Sequence, residues 1–269
     1  MDSDEGGSLD PVAAAEVKRS LHLGGALYLI AVLVLTLGTE LSVLDSLALP
    51  AFLFLLPSLA VAQLPMVQDH ELERVPAYLG SAAGIVVLGA VGLALGWRLV
   101  GPDNLGLSVP PVPSLLLWSL GLTAVGVGVM WAFHRIERAR GRRGTATLRQ
   151  LLPRTRRERG LFVVLSFTAG TGEELAYRGY VLVALLAAGF SPVAAAVVSS
   201  ISFGFLHAYQ GKLGVLTTGV LGLIFAAAVL VSGCIWPVMV AHTALDLIGG
   251  LVLGERWLQP SVADGGTER

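Results

Sequence analysis

Residues 161–190 read LFVVLSFTAGTGEELAYRGYVLVALLAAGF, and this stretch decides the fold. It is long enough to cross a bilayer as a helix, yet Glu173, Glu174 and Arg178 lie in its middle. A charged side chain at the centre of a membrane helix costs about 2.5–3.5 kcal/mol on insertion scales. The three charges therefore require partners, water or a chemical role, and the rest of the chain has to provide them.

The composition of the whole chain indicates an integral membrane protein. Of its 269 residues, 54% are hydrophobic and only 14% are charged, and the mean hydropathy is +0.74. Soluble domains contain about 25% charged residues and lack long apolar runs. The single cysteine, Cys234, excludes an intramolecular disulfide and a cysteine-cluster metal site.

Eight apolar segments predict eight transmembrane helices. Each is near the length that a spanning helix needs, and none shows the alternation of a strand. Turn residues such as Pro76 and Gly189 separate them. The predicted fold is therefore an all-α integral membrane protein with about eight spans. The segments are Leu21–Thr39, Leu47–Val67, Ala77–Val100, Ser114–His134, Leu161–Ala187, Pro192–Ala208, Lys212–Ser232 and Cys234–Leu253.

The positive charges predict the orientation of these helices. Ten of the 18 Lys and Arg residues lie between Arg135 and Arg159, in the connection between the fourth and fifth segments. Because basic loops stay in the cytoplasm, this connection and both chain termini are expected on the cytoplasmic side. Contact with anionic lipid is favoured for the basic connection over a protein or RNA contact, and we predict no nucleic-acid partner.

The ionisable side chains that this arrangement buries all belong to the second half of the chain. Such groups in membrane helices commonly face a water-filled cavity, so we expect the later helices to form a polar, catalytic cavity. The buried set is Glu173, Glu174 and Arg178 in the fifth segment, His207 in the sixth, and His242 and Asp246 in the eighth.

Their spacing predicts which groups pair within a helix. Glu174 and Arg178 are four residues apart with the acid first, which is the favourable order for an ion pair. Glu173 is rotated by about 100° from this pair and has no cation in its own segment. His242 and Asp246 are also four residues apart, so either Asp246 orients His242 or both side chains face one cavity.

These residue types suit more than one chemistry. A glutamate and a histidine can activate water as general base and general acid, and a histidine can donate to an oxyanion. Two histidines with two carboxylates can also bind zinc and leave one coordination position for water. A proton-coupled transporter would use similar groups, so the residues alone leave metal-free hydrolysis, zinc-dependent hydrolysis and transport open.

Three short motifs resemble the CAAX-protease and bacteriocin-processing (CPBP, or Abi) family of intramembrane proteases. They read EELAYR at Glu173–Arg178, FGFLH at Phe203–His207 and HTALD at His242–Asp246. The family patterns are Glu-Glu-x-x-x-Arg, Phe-x-x-x-His and His-x-x-x-Asn/Asp, in the same order. The resemblance extends over about Leu161–Leu253, and the first four segments are similar to the family only as generic membrane helices.

The resemblance implies hydrolysis of a peptide bond within or beside the membrane. Glu173 and His207 would position and activate the water molecule. His242 and Asp246 would stabilise the oxyanion or, in the metal-dependent interpretation, these four residues would form a zinc site. Zinc is accordingly the candidate cofactor, and a metal-free mechanism stays open.

The same comparison gives the remaining acidic and basic residues their expected roles. Glu174 and Arg178 would support Glu173 structurally. The similar eukaryotic prenyl-protein proteases have Asn at the place of Asp246. An ionised aspartate cannot donate a hydrogen bond, so Asp246 is expected to orient His242, to bind a metal or to act in its protonated form.

The sequence thus predicts an intramembrane endopeptidase of the bacterial inner membrane, acting on a membrane-anchored protein or peptide. The alternatives are a noncatalytic protein of the same fold, such as an immunity or scaffold protein, and a proton-coupled transporter. The expected organisation is a cytoplasmic tail at 1–20, a four-span part at 21–134, a basic cytoplasmic loop at 135–160, a catalytic membrane core at 161–253 and a polar tail at 254–269.

Overall fold

The computed structural model describes residues 10–68, 72–141 and 145–254, and within these ranges it contains helices and no strand. The outer parts of the two predicted tails, and residues 142–144 of the predicted basic loop, lie outside the described residues. The helices are α1 Pro11–Gly38, α2 Val43–Ala62, α3 Leu64–Gln68, α4 Arg74–Val100, α5 Val112–Ala139, α6 Ala146–Gln150, α7 at 156–187, α8 Pro192–Leu206, α9 Gly211–Ser232 and α10 Trp236–Leu253.

Six of the described helices are long and apolar enough to cross a membrane: α1, α2, α4, α5, α9 and α10. Large apolar side chains such as Leu37 and Val87 point away from the protein, as the surface of a bundle in lipid requires. The chain is therefore an all-α integral membrane protein, as predicted. The other two predicted spans coincide with α7, which carries the charged motif, and with α8, which has 15 residues. The number of eight spans stays a prediction.

Two prolines determine the local geometry of α2. Between Pro50 and Pro57 the helix widens into a π turn at Ala51–Leu55, in which Leu56 N–H donates to Ala51 C=O. In that register the carbonyl of Phe52 faces the nitrogen of Pro57, which has no hydrogen. The freed carbonyl accepts hydrogen bonds from Tyr177 Oη at 3.3 Å and Ser202 Oγ at 3.0 Å. Helix α2 is thereby joined to α7 and α8 without any charge.

Small residues bring α4 into backbone contact with α7. A Cβ atom at Gly92 would lie 2.5 Å from Ala176 Cα, and one at Gly89 would lie 2.6 Å from Gly172 Cα. Only glycine allows such an approach, because any other side chain would force the two helices apart. The segment of α7 that contains the acidic pair is therefore fixed against α4.

One buried charge was missed by the sequence analysis. Asp45 is 0% exposed and forms an ion pair with Arg98, while Tyr180 Oη donates to its other oxygen at 3.4 Å. The prediction that all buried ionisable residues lie in the second half of the chain was therefore wrong. The predicted second span began at Leu47, whereas Ser42 caps α2 and the helix begins at Val43, which places Asp45 in its first turn.

The described part of the basic connection is folded onto the bundle. Helix α6 is capped by Thr145, and the same hydroxyl donates to Tyr209 C=O at 2.9 Å. Arg74, the first residue of α4, donates through Nε at 2.9 Å to the C=O of Leu152, which lies just after α6. Residues 145–152 therefore cover the beginning of α4 and the connection between α8 and α9. We refer to this side of the bundle as the basic end.

Candidate active site

The three motifs meet inside the helix bundle. His207 Nε2 lies 3.7 Å from Glu173 Oε2, and His242 Nε2 lies 3.8 Å from the same oxygen. Asp246 Oδ2 lies 3.9 Å from His242 Nε2. All four residues that the sequence nominated as catalytic are thus adjacent, although α7, α8 and α10 contribute them from separate parts of the chain. Their catalytic roles stay predictions.

The end of α8 positions His207. The helix ends at Leu206, and His207 is its C-cap with a non-helical backbone. Carbonyls in the last turn of a helix lack intrahelical partners, and His207 Nδ1 donates to one of them, Phe203 C=O, at 2.9 Å. A carbonyl can only accept, so Nδ1 carries the hydrogen and Nε2 is directed at Glu173. This contact fixes the imidazole of His207 against the backbone carbonyl four residues earlier, at the first position of the Phe-x-x-x-His motif.

Glu174 positions His242. His242 Nδ1 donates to Glu174 Oε1 at 2.7 Å, and Arg178 Nη1 donates to the same oxygen at 3.0 Å. The predicted pair of Glu174 and Arg178 is therefore present, but it supports His242 directly. Asp246 lies near the other ring nitrogen, so it shares the cavity with His242, the second of the two arrangements that the spacing allowed.

The guanidinium of Arg178 is buried and contacts polar and aromatic groups. Its side chain is 2% exposed, and Nη2 donates to Gly222 C=O at 2.8 Å. The guanidinium lies 4.7 Å from the ring centroid of Phe203 and 5.7 Å from that of Phe225. A buried cation requires this set of partners, since desolvation alone would be strongly unfavourable.

A π turn follows the acidic pair in α7, at Tyr177–Val181. Such turns interrupt the regular helical period and are frequent at functional sites. Tyr177 in this turn is buried, donates to Phe52 C=O and packs edge-on against Phe203 at 5.0 Å between ring centroids. The site is thereby connected to α2, which the motifs did not indicate.

The four residues line a cavity of about 810 Å³. Earlier helices line much of it, so the cavity is not formed by the later helices alone. Apolar side chains from the connection after α2 and from α4, including Leu64, Val67, Ile85 and Leu88, form one wall. The sequence analysis missed the polar side chains from the part of the chain before α6 and from α9, because a lone polar residue has no motif around it. These are Gln63, Tyr78, Ser81, His134, Glu137, Thr217 and Thr218.

The space between Glu173 and the two histidines suits a small hydrogen-bond donor. Glu173 Oε2 is buried and has no hydrogen-bond partner in the part of the chain that the structure describes. In their neutral form, both histidines present an Nε2 lone pair toward this oxygen, because each Nδ1 holds its hydrogen. A molecule that donates hydrogen bonds fits among these acceptors, and water, with two hydrogens, can bridge Glu173 Oε2 and one of the histidines.

The zinc hypothesis fits the chemistry of the donors but not their spacing. Two imidazole nitrogens and two carboxylate oxygens are donors that zinc accepts, and each Nδ1 is anchored as in many metal-binding histidines. The neighbouring donor atoms are 3.7, 3.8 and 3.9 Å apart, whereas ligands about 2.0–2.1 Å from a tetrahedral zinc ion lie roughly 3.3 Å apart. Among the described residues, no three such side chains are placed to hold a metal ion.

Comparison with known proteins supports a protease. Residues 156–248 match the family model described as type II CAAX prenyl endopeptidase Rce1-like. The match covers about a third of the chain, begins at the first residue of α7 and includes all three motifs, so it confirms the resemblance seen in them. No curated protein and no solved structure matches the chain significantly.

Proposed function

We propose that this chain is an intramembrane endopeptidase that hydrolyses a peptide bond of a membrane-associated protein or peptide. The observation that carries the proposal is the placement of Glu173 Oε2 within 3.7–3.8 Å of two histidine nitrogens, in a cavity inside a membrane bundle. The match of residues 156–248 to a family of CAAX prenyl endopeptidases supports the same conclusion.

In this mechanism, Glu173 and His207 hold a water molecule between their facing atoms. The oxygen of the water attacks the carbonyl carbon of the scissile bond, and Glu173 accepts a proton from that water. The carbon–nitrogen bond then breaks, and Glu173 returns the proton to the leaving nitrogen. The products are a free carboxyl group and a free amine, so the carboxylate of Glu173 is regenerated and no metal enters any step.

His242 and Asp246 complete the site in the proposal. In its protonated form, His242 donates through Nε2 toward the reacting groups, and Glu174 at Nδ1 balances the charge on the ring. Arg178 Nη1 donates to Glu174 Oε1 and so holds this carboxylate in place. Asp246, whose side chain is 35% exposed, borders the open part of the cavity next to His242.

The lining of the cavity supports a membrane-associated substrate. Apolar side chains from both sides of the α2–α4 connection form a wall that continues to Glu173. An apolar chain or lipid-modified peptide would bury apolar surface there, worth about 25 cal/mol per Å². We propose further that the basic end faces the cytoplasm of a bacterial cell, in agreement with the charge distribution.

The test is a comparison of new protein N-termini in membranes from cells that express the wild type, Glu173→Gln, His207→Ala or Glu40→Gln. Glu40 is exposed at the end of α1 and provides a matched acid-to-amide control. We expect a set of termini in the wild type and Glu40→Gln that is missing in Glu173→Gln and His207→Ala. Undiminished cleavage in Glu173→Gln, with the protein correctly folded, contradicts the proposal, and a set of termini that is the same in all four strains and in cells without the protein favours a noncatalytic protein of the same fold.

A further inference from the structure

A tyrosine immediately after the second motif lies in the cavity and has not been given a role. Tyr209 belongs to the 3₁₀ turn Ala208–Gln210, two residues after His207, and its ring centroid lies 6.2 Å from that of His207. It lines the same cavity as Glu173 and Asp246. Its side chain is therefore close to the place where the scissile bond is proposed to bind.

The backbone around Tyr209 is fixed from two directions. Gln210 N–H donates to His207 C=O at 2.9 Å, which closes the turn. Thr145, the N-cap of α6, donates through its hydroxyl to Tyr209 C=O at 2.9 Å. The position of the tyrosine is consequently tied both to His207 and to the described part of the basic connection, as expected for a group with a fixed orientation.

The side chain of Tyr209 is the last acceptor in a short chain of hydrogen bonds that begins at Thr218 and passes through Gln210. Thr218 Oγ1 donates to Gln210 Oε1 at 3.4 Å, and Gln210 Nε2 donates to Tyr209 Oη at 3.2 Å. The phenolic oxygen therefore acts as an acceptor, and its single hydrogen stays available. Within the described ranges, no side chain or carbonyl accepts that hydrogen.

The proposed reaction requires such a donor. As water attacks the carbonyl carbon, negative charge develops on the carbonyl oxygen, and preorganised donors are needed to stabilise it. Asp246 cannot donate when ionised, His207 Nε2 faces Glu173, where the water is placed, and protonated His242 supplies a single hydrogen at Nε2. A further donor has to come from another wall of the cavity.

We propose that Tyr209 is this donor: its hydroxyl hydrogen binds the carbonyl oxygen of the scissile bond and stabilises the oxyanion. The inference rests on the proposed function and adds a catalytic residue to it. No proton is transferred, because the phenol only shares its hydrogen in a hydrogen bond, while Thr218 and Gln210 hold the phenolic oxygen from the other side.

The experiment uses the full-length protein in lipid nanodiscs and a fluorogenic peptide spanning a cleavage site found by the N-terminal comparison. Wild type, Tyr209→Phe, Tyr28→Phe and Glu173→Gln are compared. Tyr28 lies on α1, and it does not line the cavity. Because loss of one oxyanion donor costs about 10²–10³-fold in kcat in a well-studied protease, we expect Tyr209→Phe to lower kcat by at least ~10-fold with KM within about twofold.

The outcomes separate this inference from the proposed function. Full activity in Tyr209→Phe beside an inactive Glu173→Gln overturns the role of Tyr209 and leaves the protease intact. A raised KM with unchanged kcat also overturns it, since that result describes ground-state binding. Absence of any site that requires Glu173 defeats the proposed function, and with it the inference.

A second measurement covers the case in which Tyr209→Phe does not fold. Incorporation of 3,5-difluorotyrosine at position 209 preserves the shape of the ring and makes the phenol more acidic. If Tyr209 donates to the oxyanion, the alkaline limb of the kcat profile moves to lower pH, because the donor loses its hydrogen earlier. An unchanged profile contradicts the proposal, since a purely structural tyrosine would not move it.

Discussion

Replacement of Arg178 by methionine tests whether the buried charges of α7 depend on one another. The guanidinium is 2% exposed, and it donates to the fully buried Glu174 and to Gly222 C=O. Methionine can fill much of the space against Phe203 and Phe225, so the main loss is electrostatic rather than steric. The carboxylate of Glu174 would remain buried with His242 as its only remaining hydrogen-bond partner in the described structure.

The magnitude follows from the environment of the pair. Removing one partner of a buried ion pair typically costs about 3–5 kcal/mol, because an uncompensated charge is left behind. For a domain of about 150–250 residues, each kcal/mol lowers the melting temperature by roughly 2–4 °C, so Arg178→Met is expected to melt about 6–20 °C below the wild type. The double variant Glu174→Gln/Arg178→Met removes both charges and is expected to recover most of this loss.

Thermal unfolding of the purified protein in nanodiscs, followed by circular dichroism, is the measurement. Arg19→Met is the matched control, because Arg19 is exposed on α1 and its replacement should change stability by no more than about 0.5 kcal/mol. A melting temperature of Arg178→Met within about 2 °C of this control, the shift expected for roughly 1 kcal/mol, contradicts the electrostatic role of Arg178. So does a double variant that is no more stable than the single one. Even with its stability recovered, the double variant is expected to cleave more slowly than the wild type, because Glu174→Gln removes the carboxylate that accepts from His242 Nδ1.

Three further predictions follow from the packing and the site. Gly92→Ala places a Cβ 2.5 Å from Ala176 Cα, so this variant should melt well below the control Gly80→Ala, whose added Cβ would meet no atom within 4 Å. Equal melting temperatures of the two variants would show that α4 and α7 separate freely. Asp246→Asn should keep measurable peptide cleavage, because the side chain is 35% exposed and 3.9 Å from His242; inactivity as complete as that of Glu173→Gln would give Asp246 an essential role. Metal analysis of the purified protein should find less than one zinc per chain, with cleavage insensitive to chelators; stoichiometric zinc whose removal stops cleavage would contradict the spacing argument.

The residues of the site could be predicted from the sequence because charge in an apolar helix is rare. Glu173, His207, His242 and Asp246 are separated in the chain, yet each stands out against a background of Leu, Val and Ala. The pairing of Glu174 with Arg178 could also be predicted, since four-residue spacing fixes both side chains on one helix face.

Contacts between helices could not be predicted in the same way. The four-residue spacing allowed Asp246 either to orient His242 or to share a cavity with it, and it gave no sign that Glu174, 68 residues away, bonds Nδ1. Asp45 was missed because its burial depends on Arg98 and Tyr180, which approach from two other helices. The π turn at Tyr177–Val181 has no simple sequence signal, because helical periodicity describes only the regular helix.

The buried charges of α7 have a consequence for how the protein enters the membrane. Helix α7 is absent from the six described helices that are apolar enough to span a bilayer on their own. Apart from the Glu174–Arg178 pair itself, the groups that bond its charged side chains come later in the chain: Gly222 C=O is 44 residues beyond Arg178, and His242 is 68 residues beyond Glu174. During synthesis, α7 therefore emerges from the ribosome before α9 and α10 exist. Its stable integration has to wait for them, so the second half of the protein is expected to insert as one cooperative unit rather than helix by helix.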